Sequence, residues 1–239
     1  IASSEVGVDY YLRDNANDSV VLGPIAGTGS ALELETGIIS TNMTYNVFAD
    51  NGTPSPENTL VLDGASQVNI GNNATYINWN EISVEAWVNP TVNNVNQVVA
   101  NRRSSIGLEW RLYLRADGTV EAWVNQSPGP GYIYATSSSV IPTSSWSHVA
   151  FTFDGVNLRV YVNGVEETSN LTGGPGTNVP LWGSNIIPTN VGGNGMNSER
   201  FTGMIDDVRI WKDVTRTQSE IASNMCEIAS SSTGLFLHH

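Results

Sequence analysis

The chain has 239 residues, of which 40% are hydrophobic, and carries a formal charge of −13 with only ten basic residues. This length is sufficient for one large β-sandwich, or for such a sandwich and a small second domain. The acidic balance would repel phosphate backbones and no apolar run approaches the roughly 20 residues that span a bilayer, so we expect neither nucleic-acid binding nor membrane insertion.

The first fifty residues alternate short strand-like runs with turns. The runs that favour strands are residues 6–12, 20–22, 31–34 and 44–48. A Pro-, Asn- and Gly-containing stretch at residues 50–56 follows, and its prolines remove backbone donors and stiffen the chain. We therefore predict a boundary here, between a small β domain at 1–52 and a larger one at 53–229.

Strand candidates then recur at the spacing of a sandwich. They are residues 60–62, 82–88, 98–100, 110–114, 120–124, 146–164 and 201–211. The clearest is 146–164, WSHVAFTFDGVNLRVYVNG, where two alternating segments flank a turn. Asp154-Gly155 and Asn163-Gly164 tolerate the positive φ of tight turns, so this run predicts an antiparallel hairpin with one buried face.

The hexapeptide VEAWVN occurs twice, at residues 84–89 and 120–125. A functional duplication would give the molecule two equivalent sites. Alternating strands reuse good β-formers, however, so we favour the purely structural interpretation.

One segment near the end favours a helix. Thr217-Gln218-Ser219-Glu220 fits a capping box, which predicts a short helix through residue 225 that covers one end of the sandwich. The single cysteine, Cys226, excludes an internal disulfide. We interpret residues 230–239 as a tail whose final histidines are the remnant of a purification tag.

Six motifs in chain order resemble the laminin-G-like (concanavalin A-like) jelly-roll domains. They are LDG at 62–64, ISVEAWVNP at 82–90, WSHVAFTFDG at 146–155, LRVYVNG at 158–164, GMIDDVRIWKD at 203–213 and TQSEI at 217–221. The resemblance implies an all-β fold: a concanavalin A-like/laminin-G-like jelly-roll sandwich of two packed sheets with one short C-terminal helix. It also implies binding of glycans or proteins without catalysis, and many family members hold a calcium ion at the sheet rim.

Residues 1–52 resemble the later portion of an immunoglobulin-like (Ig-like) repeat of large bacterial surface adhesins. The matching runs are YYLRD at 10–14, VVLGP at 20–24, GTGSAL at 27–32 and TYNVFA at 44–49. Together the two resemblances, to adhesins of gliding bacteria, imply a secreted or cell-surface adhesin module. Two alternatives stay open: a structural spacer of a repetitive adhesin, and an ancillary carbohydrate-binding module of a polysaccharide-degrading enzyme.

By the same resemblance, Asp63 near the first strand of the jelly roll and Asp206 on its last long strand are expected to share a calcium ion. Asp206 alternates with Met204, Val208 and Ile210, and a carboxylate on an apolar side needs a partner. The alternative is that Asp206 only accepts hydrogen bonds from the protein. The sequence departs from the family pattern at one place: Ser66-Gln67 follows the Asp-Gly pair, where family members commonly carry acidic residues.

The sequence carries no motif of hydrolytic chemistry, so we expect no enzyme. Glycoside hydrolases of this fold place two carboxylates on one strand as Glu-x-Asp-x-x-Glu, separated by about 5–9.5 Å. Here Glu85 and Glu121 each stand alone in VEAWVN. His148 is the only histidine outside the tail, and we expect a structural role for it at the edge of the core.

Sugar recognition usually stacks a pyranose on an exposed aromatic ring. The aromatic side chains least explained by the core pattern are Tyr132 and Tyr134, beside the SPGPG turn, and Trp182 in an Asn- and Gly-rich stretch. We predict that they contact a polysaccharide or surface glycan. For Trp182 the alternative is that it caps a sheet edge.

Overall fold

The computed structural model describes residues 1–15, 20–36, 44–50, 59–72, 79–126, 131–177, 180–184, 186–196, 198–225 and 234–238. They form two compact units, Ile1–Thr53 and Pro54–His239. Most of the predicted boundary, residues 51–56, lies outside the described residues, as does Cys226.

The first unit is a three-stranded antiparallel sheet. Its strands are β1 (Asp9–Asp14), β2 (Val20–Ala26) and β3 (Tyr45–Asp50), in the order β2-β1-β3. The strand predicted at 31–34 is wrong. Leu32 exchanges hydrogen bonds only with Ile1, through Leu32 N–H to Ile1 C=O and Ile1 NH3⁺ to Leu32 C=O, which is too little pairing for a ladder.

The second unit consists of two antiparallel sheets. The front sheet comprises β5 (Val68–Gly71), β7 (Gln97–Ser104), β8 (Gly107–Leu114), β9 (Thr119–Gln126), β10 (Gly131–Val140), β14 (Thr168–Thr172) and β15 (Thr189–Val191). Their order is β14-β10-β9-β8-β7-β15-β5.

The back sheet comprises β4 (Leu60–Asp63), β6 (Ile82–Pro90), β11 (Ser147–Phe153), β12 (Leu158–Val162), β13 (Val165–Glu166), β16 (Thr202–Lys212) and β17 (Leu235–His238). Their order is β13-β12-β11-β6-β16-β17, with β4 also paired to β16. The predicted all-β jelly-roll sandwich is therefore confirmed. Residues 235–238, which we assigned to a tail, form the strand β17 against β16.

The core lies between the sheets and follows the alternation of the strands. In the predicted hairpin, every core-facing residue of β11 is opposite one of β12: Val149 opposite Val162, Phe151 opposite Val160, and Phe153 opposite Leu158. Asn163 and Gly164 have φ values of 48° and 76°, as the tight turn requires. The hairpin prediction is confirmed in register and in buried face.

The helix α1 (Gln218–Ser223) begins where the capping box predicts. Thr217 is the N-cap, and both halves of the box are present. Its one buried residue, Ile221, packs with Ala150 and Tyr161 on the outer face of the back sheet, so the expectation that it covers one end of the sandwich is wrong. In the described part of the chain, no helix is long and apolar enough to cross a membrane.

The strand β16 departs from the predicted alternation. A register shift between Asp206 and Arg209, with Asp207 at a φ of 49°, inserts an extra residue. Ile205, Val208 and Ile210 consequently face the core. Asp206 pairs with Trp87 on the outer face of the back sheet, so our placement of it beside Val208 on an apolar side is wrong.

Candidate functional site

A groove of about 480 Å³ lies on the outer face of the front sheet. Its lining comes from three separate parts of the chain. These are residues 103–108 with Arg111 from β7 and β8, Trp123 and Tyr132 from β9 and β10, and Met196 and Glu199 from the loop before β16.

The strands present these side chains for two reasons. In β9, alternation buries Val120, Ala122 and Val124 in the core and therefore turns Trp123 outward. In β8, Arg102 pairs with Trp110 but Arg103 pairs with Leu108, which leaves Glu109 as an extra residue of a bulge. The bulge changes the phase of the strand, so Leu108 and Arg111 line the same groove although they are three residues apart.

An aromatic cluster forms one part of the groove. The rings of Trp123 and Tyr134 are stacked, with centroids 4.9 Å apart and an interplanar angle of 19°. Tyr132 is tilted against Trp123 at 5.6 Å and is 46% exposed. The guanidinium of Arg111 lies 4.3 Å from the centroid of Trp123 and 4.0 Å from that of Tyr113. Burial raises the pKa of Tyr113 to about 12, so this phenol is neutral at physiological pH.

Trp182 lies against the same groove. Its indole ring packs so closely on Gly107, a groove residue, that a side chain at position 107 would collide with it. Its backbone N–H donates to the Asn125 carbonyl at 2.7 Å. The structure thus brings together all three aromatic residues singled out by sequence: Tyr132 lines the groove, Tyr134 stacks on Trp123, and Trp182 contacts Gly107.

Charged side chains form an alternating chain beside the aromatic cluster. In order, the side chains are Asp117, Arg115, Glu121, Arg111, Glu199 and Arg103. The closest nitrogen–oxygen distances between successive members are 3.2, 2.7, 3.1, 3.6 and 3.3 Å. Three arginines and three carboxylates sum to zero. The six side chains are thus neutral together in a protein of charge −13, and three of them, Arg103, Arg111 and Glu199, line the groove.

The two copies of VEAWVN have different outer faces. In the second copy, Glu121 accepts hydrogen bonds from Arg111, Arg115 and the indole N–H of Trp123, at the groove. In the first copy, Trp87 is 6% exposed and donates to the Met225 carbonyl at 2.8 Å, just beyond α1. The valines and the alanine face the core in both copies, so the repeat is shared on its buried side only.

Asp63 and Asp206 are not brought together. Asp63 is opposite Thr202, four residues before Asp206 along β16, a separation of about 13 Å along the strand. Asp63 accepts backbone hydrogen bonds from Ala65 and Ser66, which lower its pKa. Asp206 accepts hydrogen bonds from Thr59 Oγ1 and from the Asp207 N–H. This arrangement does not fit one shared ion, and the described residues contain no group of three or more His, Cys, Asp or Glu side chains that could hold a metal.

Calcium support stays a prediction of the resemblance and is tested by thermal unfolding. A resident structural ion should raise the unfolding midpoint in calcium relative to chelator, because it binds the folded state alone. Asp63→Asn and Asp206→Asn, measured separately, would show which carboxylate contributes. An unchanged midpoint in the wild-type protein contradicts the prediction.

Sequence reasoning missed Trp123, Arg111, Arg103 and Glu199. A signal for Trp123 was present, since Glu121, Trp123 and Asn125 occupy the outward positions between core-facing residues. No comparable signal exists for Arg103 and Glu199, because they are 96 positions apart in the sequence.

Comparisons with known proteins agree with the fold. Residues 62–222 match the family model described as the concanavalin A-like lectin/glucanases superfamily. No curated protein sequence matches the chain significantly.

Two similar solved structures illustrate the range of likeness. A candidate carbohydrate-binding protein from Bacteroides ovatus ATCC 8483 has a TM-score of 0.58 at 19% identity, covering 84% of this chain and 56% of its own. The CBM40 domain of Ruminococcus gnavus IT-sialidase, bound to α2,3-sialyllactose, has a TM-score of 0.50 at 12% identity, covering 69% of this chain and 96% of its own. The chain thus spans little more than half the length of the first. At these identities the likeness shows the fold alone.

Proposed function

The chain belongs to the concanavalin A-like lectin/glucanases superfamily, and from this premise we propose that it is a carbohydrate-binding module whose front-sheet groove binds a glycan. The observation that carries the proposal is the exposed ring of Tyr132 beside Trp123, in a groove that also offers guanidinium and carboxylate groups. A pyranose stacks on an aromatic face and hydrogen-bonds through its hydroxyls to such groups. The groove volume of about 480 Å³ is in the usual range for ligand sites.

The comparisons support this proposal. Both similar structures are named for carbohydrate binding, one as a candidate binding protein and one as a sialidase module bound to a sialylated sugar. Neither likeness identifies the sugar that this chain would bind.

Binding without catalysis is the mode that the groove favours. Hydrolysis needs one carboxyl group to protonate the glycosidic oxygen and a second to act on the opposite side. Here Glu121 is engaged by Arg111, Arg115 and Trp123, and Glu199 by Arg103 and Asn194. We expect no hydrolysis of a bound glycan.

Replacing Tyr132 by alanine should weaken glycan binding about tenfold, because the exposed stacking surface is lost. A glycan array identifies the ligand, and calorimetry then compares the wild-type protein with Tyr132→Ala. Phe48→Ala is the matched control, since Phe48 is a partly exposed aromatic residue of the other unit. An array without any binding removes the proposal. Equal glycan affinity of wild type and Tyr132→Ala would contradict the placement of the binding site in the groove.

We further propose an extracellular role as an adhesin module that contacts polysaccharide. The array also tests the spacer alternative, which predicts no ligand. The ancillary-module alternative predicts a catalytic domain encoded in the same open reading frame. Reading that frame therefore separates an adhesin from an enzyme accessory.

A further inference from the structure

Glu199 lies between the two arginines of the groove. Its carboxylate is 3.3 Å from Arg103 Nη1 and 3.6 Å from Arg111 Nη1, and it accepts a hydrogen bond from Asn194 Nδ2 at 2.8 Å. The side chains of Arg103 and Glu199 are 28% and 23% exposed, so a ligand in the groove can reach both.

The backbone fixes this carboxylate in place. Glu199 has a φ of 53°, a left-handed conformation that is unfavourable for a residue with a side chain. Its carbonyl accepts a hydrogen bond from the Val98 N–H at 3.0 Å, which ties the loop to the start of β7. The conformation is thus held from both the main chain and the side chain.

The charge of the groove depends on Glu199. Two arginines and this one carboxylate line the groove, so the lining carries one net positive charge. Without Glu199, Arg103 loses its partner and the lining carries two positive charges. Two guanidinium groups that converge on one carboxylate form a site for a carboxylate. Glu199 fills that site from within the chain.

We infer that Glu199 is a specificity-determining residue: it occupies the anion site of Arg103 and Arg111 and makes the groove select neutral glycans over glycans that carry carboxylates. A sugar hydroxyl can donate to Glu199 and accept from an arginine, so neutral ligands can form hydrogen bonds in the groove while Glu199 is present. A sugar carboxylate instead meets a like charge where its partners are already engaged. The selectivity rests on the proposed glycan-binding function, whereas the occupied anion site rests on the geometry alone.

The test removes the charge and keeps the shape. Glu199→Gln is compared with wild type for binding of hexagalacturonate and of its fully methyl-esterified form, by calorimetry. Glu166→Gln is the matched control, because Glu166 is an exposed glutamate on β13 of the back sheet. We expect Glu199→Gln to bind hexagalacturonate at least about tenfold more tightly than wild type does, as a new charge-assisted hydrogen-bond pair requires. The control should stay within about twofold, and 0.5 M salt should remove most of the gain, since the new interaction is between charges.

The outcomes separate this inference from the glycan-binding proposal. A folded Glu199→Gln without any gain for hexagalacturonate overturns the inference, as does a wild-type protein that prefers the carboxylated form. If wild type binds no glycan on the array but Glu199→Gln gains hexagalacturonate, the glycan-binding proposal fails and the occupied anion site stands. Thermal unfolding checks the fold of the variant, and Glu199→Ser makes the same charge change if Glu199→Gln does not fold.

Discussion

Replacing Glu85 by alanine is expected to lower the free energy of unfolding by about 3–5 kcal/mol, the usual cost of removing one member of a buried ion pair. Glu85 is 2% exposed, and its carboxylate lies 3.0 Å from Arg209 Nη1 and 2.8 Å from Arg216 Nη1. Without it, the buried guanidinium of Arg216 loses the carboxylate that neutralises it, and Arg209 keeps only Asp207, 3.0 Å from its Nη2. The same arginines donate to the carbonyls of Glu220 and Asn224, so the change also weakens the docking of α1.

The second copy of the hexapeptide supplies the control. Glu121→Ala removes the equivalent glutamate, but its partner Arg115 is 41% exposed and can be solvated, and its buried partner Arg111 keeps Glu199 at 3.6 Å. We expect a loss of about 1–2 kcal/mol there. Urea unfolding followed by circular dichroism measures both variants. Equal losses at the two positions would contradict the assignment of Glu85 as the buried centre of the back-sheet cluster.

Acidification is expected to destabilise the protein through His148, by an amount on the order of 3–5 kcal/mol between pH 6.5 and 3. His148 is buried, and burial lowers its pKa to about 3, with Arg209 and Arg216 adding to the effect and Asp207 opposing it. As the pH falls, the His148 imidazole is therefore protonated at a higher pH in the unfolded chain than in the folded protein. The stabilisation is complete above the unfolded pKa of about 6.5 and is lost as the pH falls towards 3.

The test compares wild type with His148→Gln at each pH, because two buried carboxyl groups, Glu109 and Glu85, have raised pKa values and act in the opposite direction. Glu109 forms a buried pair with Arg102 at 3.0 Å, and burial raises its pKa to about 8, so its contribution to stability falls as the pH rises from about 4.5 to 8. The difference between the two unfolding curves removes the effect of Glu109, which lies in the other sheet, and reports His148 together with its neighbour Glu85, whose carboxylate is 3.9 Å from His148 Nε2. The free energy of unfolding of the wild type, minus that of His148→Gln, should fall by about 1.4 kcal/mol for each pH unit below pH 6.5. Parallel curves would show that His148 does not set the acid sensitivity.

The sequence predicted the elements whose signals are local. The hairpin at 146–164 and the capping box at Thr217 each depend on neighbours within a few residues, and both formed as expected. The strand phase of β16 and the face that α1 covers were predicted wrongly. A bulge at Asp206 and the burial of Ile221 on Ala150 depend on partners that are far away in the chain.

The groove was predictable only in part, for the same reason. Tyr132 and Tyr134 stood out because the core pattern did not explain them, and they lie at the site. Arg103 and Glu199 meet only because β7 and the loop before β16 come together in the folded sandwich. Asp63 and Asp206 were expected at one edge, but the ladder between β4 and β16 keeps them four residues apart.

The two VEAWVN copies differ in exposure, and this difference sets how many binding sites the repeat can supply. The segment from α1 to Met225 closes over Trp87 on the back sheet and leaves Trp123 open on the front. In the described part of the chain, one copy of this hexapeptide can therefore meet a polymer. If the groove binds a long polysaccharide, a single copy of the chain would dissociate at the rate of one binding site. Durable attachment through this groove would need several copies joined in tandem, because a released copy would then be held near the polymer by its neighbours and would rebind.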